Sequence, residues 1–284
     1  MASSGLNLHV LIVGCGDLGS AVARQLTAAG MHVSGTRRNP GELPEGVDFI
    51  QLDVTDPASV ARLSHVHPDF LLYCVAASAQ TDDNYRAHYV DGLRHVLQAL
   101  QPDQSLRHVF FVSSTRGYGQ TGDALLDETT TPLPADFGGV RLMEAEAVLA
   151  AMQVPSTVLR LSGIYGPGRT RLIDLARLPS AWPQQNVWTN RIHRDDAARF
   201  IAHCMQWAVA EEALAPLYLV TDSAPVSQYE VLQWLAQRQG VDALAVQAPP
   251  VSGGKRLSNA RMLASGFSLQ YPDYRSGYGA LLAG

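Results

Sequence analysis

Gly14, Gly16 and Gly19 follow the apolar run Val10-Leu11-Ile12-Val13 at the spacing G-x-G-x-x-G, and a helical pattern begins at once. Each glycine has a physical task in a loop that takes a dinucleotide. Gly14 allows the tight turn, Gly16 lets the backbone approach a pyrophosphate, and Gly19 lets the helix pack closely on the strand. The N–H groups and dipole of that helix then face the phosphates. Cys15, Asp17 and Leu18 fill the variable places and are counted with the loop. About 20 residues further on, folds that prefer NAD place an acidic residue on the ribose hydroxyls. This chain has Thr36, Arg37 and Arg38 there. A carboxylate repels a 2′-phosphate, whereas guanidinium groups bind one through paired, charge-assisted hydrogen bonds. NADP is therefore expected over NAD, the alternative being two solvated arginines on a turn.

The elements that must hold these residues are legible as an alternation. Strands are predicted at 8–13, 31–36, 47–52, 69–76, 107–113 and 155–161, with helices at 17–29, 57–64, 83–101 and 137–152 between them. Strands that alternate with helices imply a parallel sheet covered on both faces. The expected class is α/β, a Rossmann-type doubly wound parallel sheet with a small C-terminal substrate lobe. The division expected is 1–162 for the dinucleotide-binding domain and 163–284 for the lobe, with returns from the later chain to the sheet left open. Beyond Gly163–Gly168 the pattern becomes irregular. Helices are predicted near 194–210 and 227–239, a short strand near 217–220, and a polar, aromatic tail from Gly253.

Bulk composition narrows the class. Of 284 residues, 46% are apolar and 17% charged, as in globular proteins. The net charge of −5 argues against nucleic acid or an anionic membrane as partner. The opening Met1 to Asn7 lacks a basic region followed by an apolar core, so no signal peptide is expected, and no apolar run reaches the length of a membrane span. Cys15, Cys74 and Cys204 are odd in number and far apart, which fits reduced cytoplasmic thiols. His65 and His67 lack further ligands, so no metal is expected. A small-molecule substrate is the expected partner, with a homodimer left open.

Several further motifs together resemble the extended and atypical short-chain dehydrogenase/reductase superfamily, of the NAD-dependent epimerase/dehydratase type, over about residues 8–222. They are Asp53-Val54-Thr55-Asp56, Cys74-Val75-Ala76-Ala77, Val112 to Gly119 with Ser113 and Ser114, Arg160 to Arg169, and Asn190 to Ala198. The resemblance implies that Asp53 and Val54 meet the adenine and that Val75, Ala76 and Ala77 line the cofactor. It places Ser113 beside the cofactor and Ser114 at the catalytic serine. It puts Leu161, Ser162, Gly163 and Ile164 beside the nicotinamide, and Tyr165, Arg169, Asn190 and His193 on the substrate side.

The departure lies at the chemistry. The family's Y-x-x-x-K pair, one helical turn apart on one face, falls here on Phe137 and Arg141, and Tyr89 replaces the usual asparagine. Phenylalanine has no exchangeable proton. Arginine stays charged, yet can hold a ribose or phosphate. The chain thus resembles the atypical subgroup with a degraded tetrad, in which Ser114 remains. Tyr118, Tyr165, Tyr85 and Tyr89 are candidate substitute phenols; packing is the preferred role for each, although Tyr118 and Tyr165 are expected at strand ends facing the cleft. His193 is a candidate acid or base, with ordering of the loop before its helix preferred. No strand–G-x-S-x-G–helix elbow is present, which excludes that class of hydrolase. The expectation is an NADP-dependent oxidoreductase or epimerase acting on a small polar or sugar-like substrate by hydride transfer. The alternative is a non-catalytic NADP-binding sensor or regulator.

Overall fold

His9–Val13 forms β1, and Val10, Leu11, Ile12 and Val13 are all fully buried. Such a run suits a strand covered on both faces. The computed structural model describes residues 8–39, 41, 43–100, 105–243 and 246–283. The segment 1–7, read above for a leader, lies outside the described residues, as do position 101 of the third predicted helix and Gly284 of the tail.

From β1 the chain runs through α1 (Asp17–Ala28), β2 (His32–Arg37), β3 (Val47–Gln51), α2 (Pro57–Val60), β4 (Phe70–Tyr73), α3 (Asp82–Tyr85), α4 (Gly92–Leu100), β5 (His108–Ser114) and α5 (Phe137–Ala150). The main sheet has seven strands in the order Leu217–Val220, Ser156–Leu161, β5, β4, β1, β2, β3. The pairings β1–β2, β2–β3, β1–β4 and β4–β5 are parallel. This is the doubly wound order, whose direction reverses between β1 and β4, the place where such sheets bind ligands at their carboxyl ends. Gly14 leaves β1 at that place, and the predicted fourth strand ends there at Tyr73 rather than at 76. Cys74 still donates its N–H to Val13 O at 2.8 Å before the chain departs.

The predicted helix 83–101 is broken in the middle. Residues Arg86–Asp91 form a π-helical turn between α3 and α4. Tyr73, fully buried on β4, donates its hydroxyl to His88 O and so engages a carbonyl within that turn. α4 then packs into a core with Leu11, Val13, Leu71, Val109, Phe111 and Leu142.

The chain divides into two compact units that interleave along the sequence. The first holds the residues up to Gly117 with Pro134–Arg160 and Ala198–Tyr218; the second holds Tyr118–Leu133, Leu161–Ala197 and the residues from Leu219 on. The second unit has its own core of Tyr165, Trp182, Tyr229, Leu232, Leu235 and Tyr278. It contains short pairings that periodicity does not signal. Gly163–Tyr165 runs parallel to Arg191–His193, Leu125–Leu126 pairs with Arg256–Leu257, and Asn186–Thr189 lies between Val226–Ser227 and Val251–Gly254. The segment 169–190, read as irregular, carries a helix at Arg171–Ala176 and a 3-10 turn at Pro179–Ala181. Among the described residues no helix is long and apolar enough to cross a membrane.

Candidate functional site

The glycine loop has the geometry its spacing predicts. Gly14 has φ +95°, and a Cβ there would lie 2.6 Å from Cys74 O. A Cβ at Gly19 would lie 2.6 Å from Gly14 O, so the helix sits this close to the turn because position 19 is glycine. Gly16 stands differently. A Cβ there meets nothing within 4 Å, so this glycine keeps the loop's outer face open, as close approach of a pyrophosphate requires. Gly16 also caps α1 without bringing a side-chain acceptor to its first turn. Asp17 is exposed beside it, while Leu18 is buried beneath the helix. These residues fit a dinucleotide phosphate.

β2 holds this loop from behind. The buried Thr36 accepts the N–H of Gly14 on Oγ1 at 3.2 Å and that of Cys15 on its carbonyl at 2.8 Å. Arg37 is folded back: its Nε donates to Cys15 O and its Nη2 to Ser20 Oγ at 2.9 Å. Arg38 is exposed, and Gln51 Nε2 holds its carbonyl at 3.1 Å. Its charge reaches Asp53. Burial pushes that carboxyl up, but the Thr55 hydroxyl and N–H, with Arg38, outweigh it and hold Asp53 below the usual range. Val54 is buried; Val75 and Ala77 are half-buried, and Ala76 is exposed. Tyr89 lies against this segment, with its hydroxyl bonded to the Ala77 backbone and its titration pushed up by burial.

At the end of β5 the two serines part. Ser113 Oγ donates to Glu146 Oε1 at 2.6 Å. Glu146 also accepts Arg160 Nη2 at 2.6 Å in a pair whose side chains are only 12% and 7% exposed. Ser113 is thereby part of a buried staple between β5, α5 and the strand Ser156–Leu161. Ser114 is half-buried, and its Oγ accepts the N–H of Arg116 at 3.2 Å.

Phe137 begins α5 behind Asp136, which caps the helix by accepting the Gly139 N–H at 2.9 Å. The Arg116 guanidinium lies 5.2 Å from the Phe137 ring centre and 5.0 Å from that of Tyr85. It donates Nε to both Asp136 oxygens at 2.9 Å and Nη1 to Tyr85 Oη at 2.7 Å. Arg141 meets two carboxylates of its own chain. Its Nε and Nη2 fork onto Asp82 at 2.7 and 2.8 Å, and its Nη1 meets Glu144 at 2.8 Å. Sequence reasoning missed Arg116 as an organising cation, although it sits inside the quoted Val112–Gly119 motif. It also missed Asp82 and Glu144, for which a fork-shaped cation was the one available signal.

The second unit carries the remaining predicted residues. Leu161 and Ser162 are buried, and Ser162 Oγ lies 3.0 Å from Thr221 Oγ1. Gly163, Ile164 and Tyr165 pair in register with Arg191, Ile192 and His193. His193 is 2% exposed, accepts the Asp195 N–H at 3.2 Å on Nδ1, and packs edge-on against Tyr165 at 5.2 Å. Burial pushes its pKa down against the pull of Asp195 and Asp196. Asn190 bridges the tail, donating to Lys255 O at 2.8 Å and accepting the Leu257 N–H at 2.9 Å. Arg169 is exposed. Neither candidate phenol expected to face a cleft is presented to solvent. Tyr118 is fully buried with its hydroxyl directed at Asp127 O, 3.4 Å away. Tyr165 is 4% exposed, its hydroxyl has no hydrogen-bond partner among the described residues, and burial pushes its pKa far up. Asp222, which sequence reasoning did not single out, is 1% exposed with Oδ2 unpartnered, and burial pushes it up to about 7. Among the described residues no cluster of three or more metal-ligating side chains occurs.

Known proteins share this construction. A Methylobacillus flagellatus structure, provisionally described as an NAD-dependent epimerase/dehydratase, is 52% identical over 98% of both chains, with a TM-score of 0.90. Protein YeeZ of Escherichia coli K12 is 26% identical, over 93% of this chain and 96% of that one. The Thermus thermophilus UDP-glucose 4-epimerase, solved in complex with NAD, shares the fold at a TM-score of 0.76, with 20% identity over 97% of this chain and 98% of that one. Residues 10–214 match the NAD dependent epimerase/dehydratase family, and with the glycine loop at the reversal of a doubly wound sheet, the chain belongs to that family.

Proposed function

We propose that this chain is an NADP-dependent oxidoreductase or epimerase acting on a small polar or sugar-like substrate by hydride transfer. The observation that carries the cofactor choice is Arg38, exposed at the end of β2 in a chain with no carboxylate at Thr36-Arg37-Arg38. The bound dinucleotide supplies the hydride chemistry. The residues of the chain bind and orient. Within the first unit, the loop Gly14–Gly19 takes the pyrophosphate, Asp53 and Val54 take the adenine, and Val75 to Ala77 line the cofactor. The Ser114 hydroxyl acts as the hydrogen-bonding group at the substrate oxygen. Phe137 has no proton to exchange, so the proton comes from a group other than position 137. In the second unit, Asn190, His193 and Tyr165 shape the lobe from within.

The test has two stages. Calorimetry should show NADPH bound at least about tenfold more tightly than NADH, a difference of about 1.4 kcal/mol. Absorbance of the reduced nicotinamide should then report turnover across a panel of small carbonyl compounds and sugar derivatives. Equal affinity for the two cofactors, or a preference for NADH, overturns the NADP assignment. Tight NADPH binding with no turnover on any substrate leaves a dinucleotide-binding regulator, the reading that Phe137 favours.

A further inference from the structure

We propose that the two adjacent arginines divide the cofactor site between them: Arg37 is a positioning residue that locks the glycine loop, and Arg38 reads the 2′-phosphate. The inference rests on the NADP reading above, within which it reassigns Arg37. Paired arginines after a second strand invite the assumption that both grip the phosphate. The geometry separates them. Arg37 Nε donates to Cys15 O and its Nη2 to Ser20 Oγ at 2.9 Å, while Ser20 Oγ itself donates to Cys15 O at 3.2 Å. Arg37 thus closes a ring from the end of β2 to the loop and the first turn of α1. Thr36 completes it through the N–H groups of Gly14 and Cys15.

The consequence for binding follows from peptide geometry. The peptide between Cys15 and Gly16 is planar and trans, so pinning its carbonyl on the Arg37 side fixes the orientation of the whole unit. That unit carries Gly16, whose Cβ direction opens onto nothing within 4 Å. Arg37 therefore orients the peptide that a pyrophosphate approaches, a moiety NADH and NADPH share. Arg38 stands one residue further on, past the strand's last pairing of Arg37 with Gln51. It is exposed, its backbone is held by Gln51, and its charge reaches Asp53 at the adenine end. Only the 2′-phosphate distinguishes the two cofactors, and Arg38 is the cation placed to meet it.

Calorimetric titration of the full chain with NADPH, NADH, 2′,5′-ADP and 5′-ADP separates the roles. Hydrogen exchange of residues 14–20 in the ligand-free protein supplies a readout independent of binding. Arg38→Ala should weaken NADPH and 2′,5′-ADP by about tenfold or more and leave NADH and 5′-ADP within about twofold, as loss of a charge-assisted contact to one phosphate requires. Arg37→Ala should weaken NADPH and NADH by the same factor and raise exchange in the loop. Ser20→Ala removes the loop-side partner and leaves both arginines in place. It should also lower NADH affinity, and it stands in if Arg37→Ala fails to fold. Selective loss of NADPH in Arg37→Ala, with unchanged loop exchange, overturns the proposal, as does unchanged NADH binding by Ser20→Ala. A native protein that binds both cofactors equally overturns the NADP reading and the role of Arg38. Parallel losses with faster loop exchange in Arg37→Ala would still support the clamp, so the two failures are distinguishable.

Discussion

Replacing Asp222 with asparagine should change how the protein's stability responds to pH. The carboxyl is 1% exposed; one oxygen accepts the Ala224 N–H at 3.2 Å and the other has no partner among the described residues. Burial pushes it up to about 7, with Asp273 adding to the effect and Arg191 and the Ala224 N–H opposing it. Tyr165 and Tyr278 feel its charge. In the unfolded chain an aspartate titrates near 3.9. Between about pH 4 and about pH 7 the folded protein therefore holds a proton that the unfolded chain has lost, and stability falls as pH rises through that window. The window spans about three pH units at about 1.4 kcal/mol each, or at most about 4 kcal/mol. Asparagine keeps the shape and cannot ionise. Asp222→Asn should match the native protein below about pH 4, exceed its stability increasingly up to about pH 7, and keep that margin above it. Urea unfolding followed by tryptophan fluorescence reads this directly, because Trp182, Trp188 and Trp234 lie in the same unit as Asp222. A difference that stays constant with pH refutes the reasoning. A variant that loses ground as pH rises shows instead an ionised Asp222 paired with Arg191.

Other substitutions have outcomes that the structure sets in the same way. Gly16→Val should abolish dinucleotide binding in calorimetry and leave the melting temperature nearly unchanged, because its Cβ direction is open, whereas Gly19→Ala should lower the melting temperature, its Cβ lying 2.6 Å from Gly14 O. Glu146→Gln strips the charge from a buried partner of Arg160 and should cost about 3–5 kcal/mol in denaturant unfolding; a loss below about 1 kcal/mol means the pair is solvated. Ser114→Ala should lower turnover about tenfold or more with NADPH affinity unchanged, and Phe137→Tyr combined with Arg141→Lys should bring no large gain, since Arg141 already spans Asp82 and Glu144; unaltered turnover in Ser114→Ala would make that hydroxyl a bystander.

The sequence by itself determined the parts of this protein whose physics is local. A short apolar, β-branched run such as Val10 to Val13 that ends in glycines suits a buried parallel strand, and three glycines at that spacing suit a tight turn and close packing. Hence β1, α1, β2, β3 and the strands at 108–114 and 156–161 fall within two residues of where the pattern puts them. The family followed from the order of such local motifs. The tertiary structure decided everything that depends on which distant group a side chain meets. The sequence offers Arg37 to a phosphate; that its donors also meet Cys15 O and Ser20 Oγ is visible only in the fold. That the fork of Arg141 meets Asp82, 59 residues away, is likewise a fact of the folded chain. Pairings as short as Leu125–Leu126 with Arg256–Leu257 leave no periodicity to detect, so the interleaving of the two units was not legible. The titration of Asp222 was invisible for the same reason. A carboxyl's charge is set by desolvation and by neighbours within a few ångströms, and which neighbours those are is a property of the folded chain.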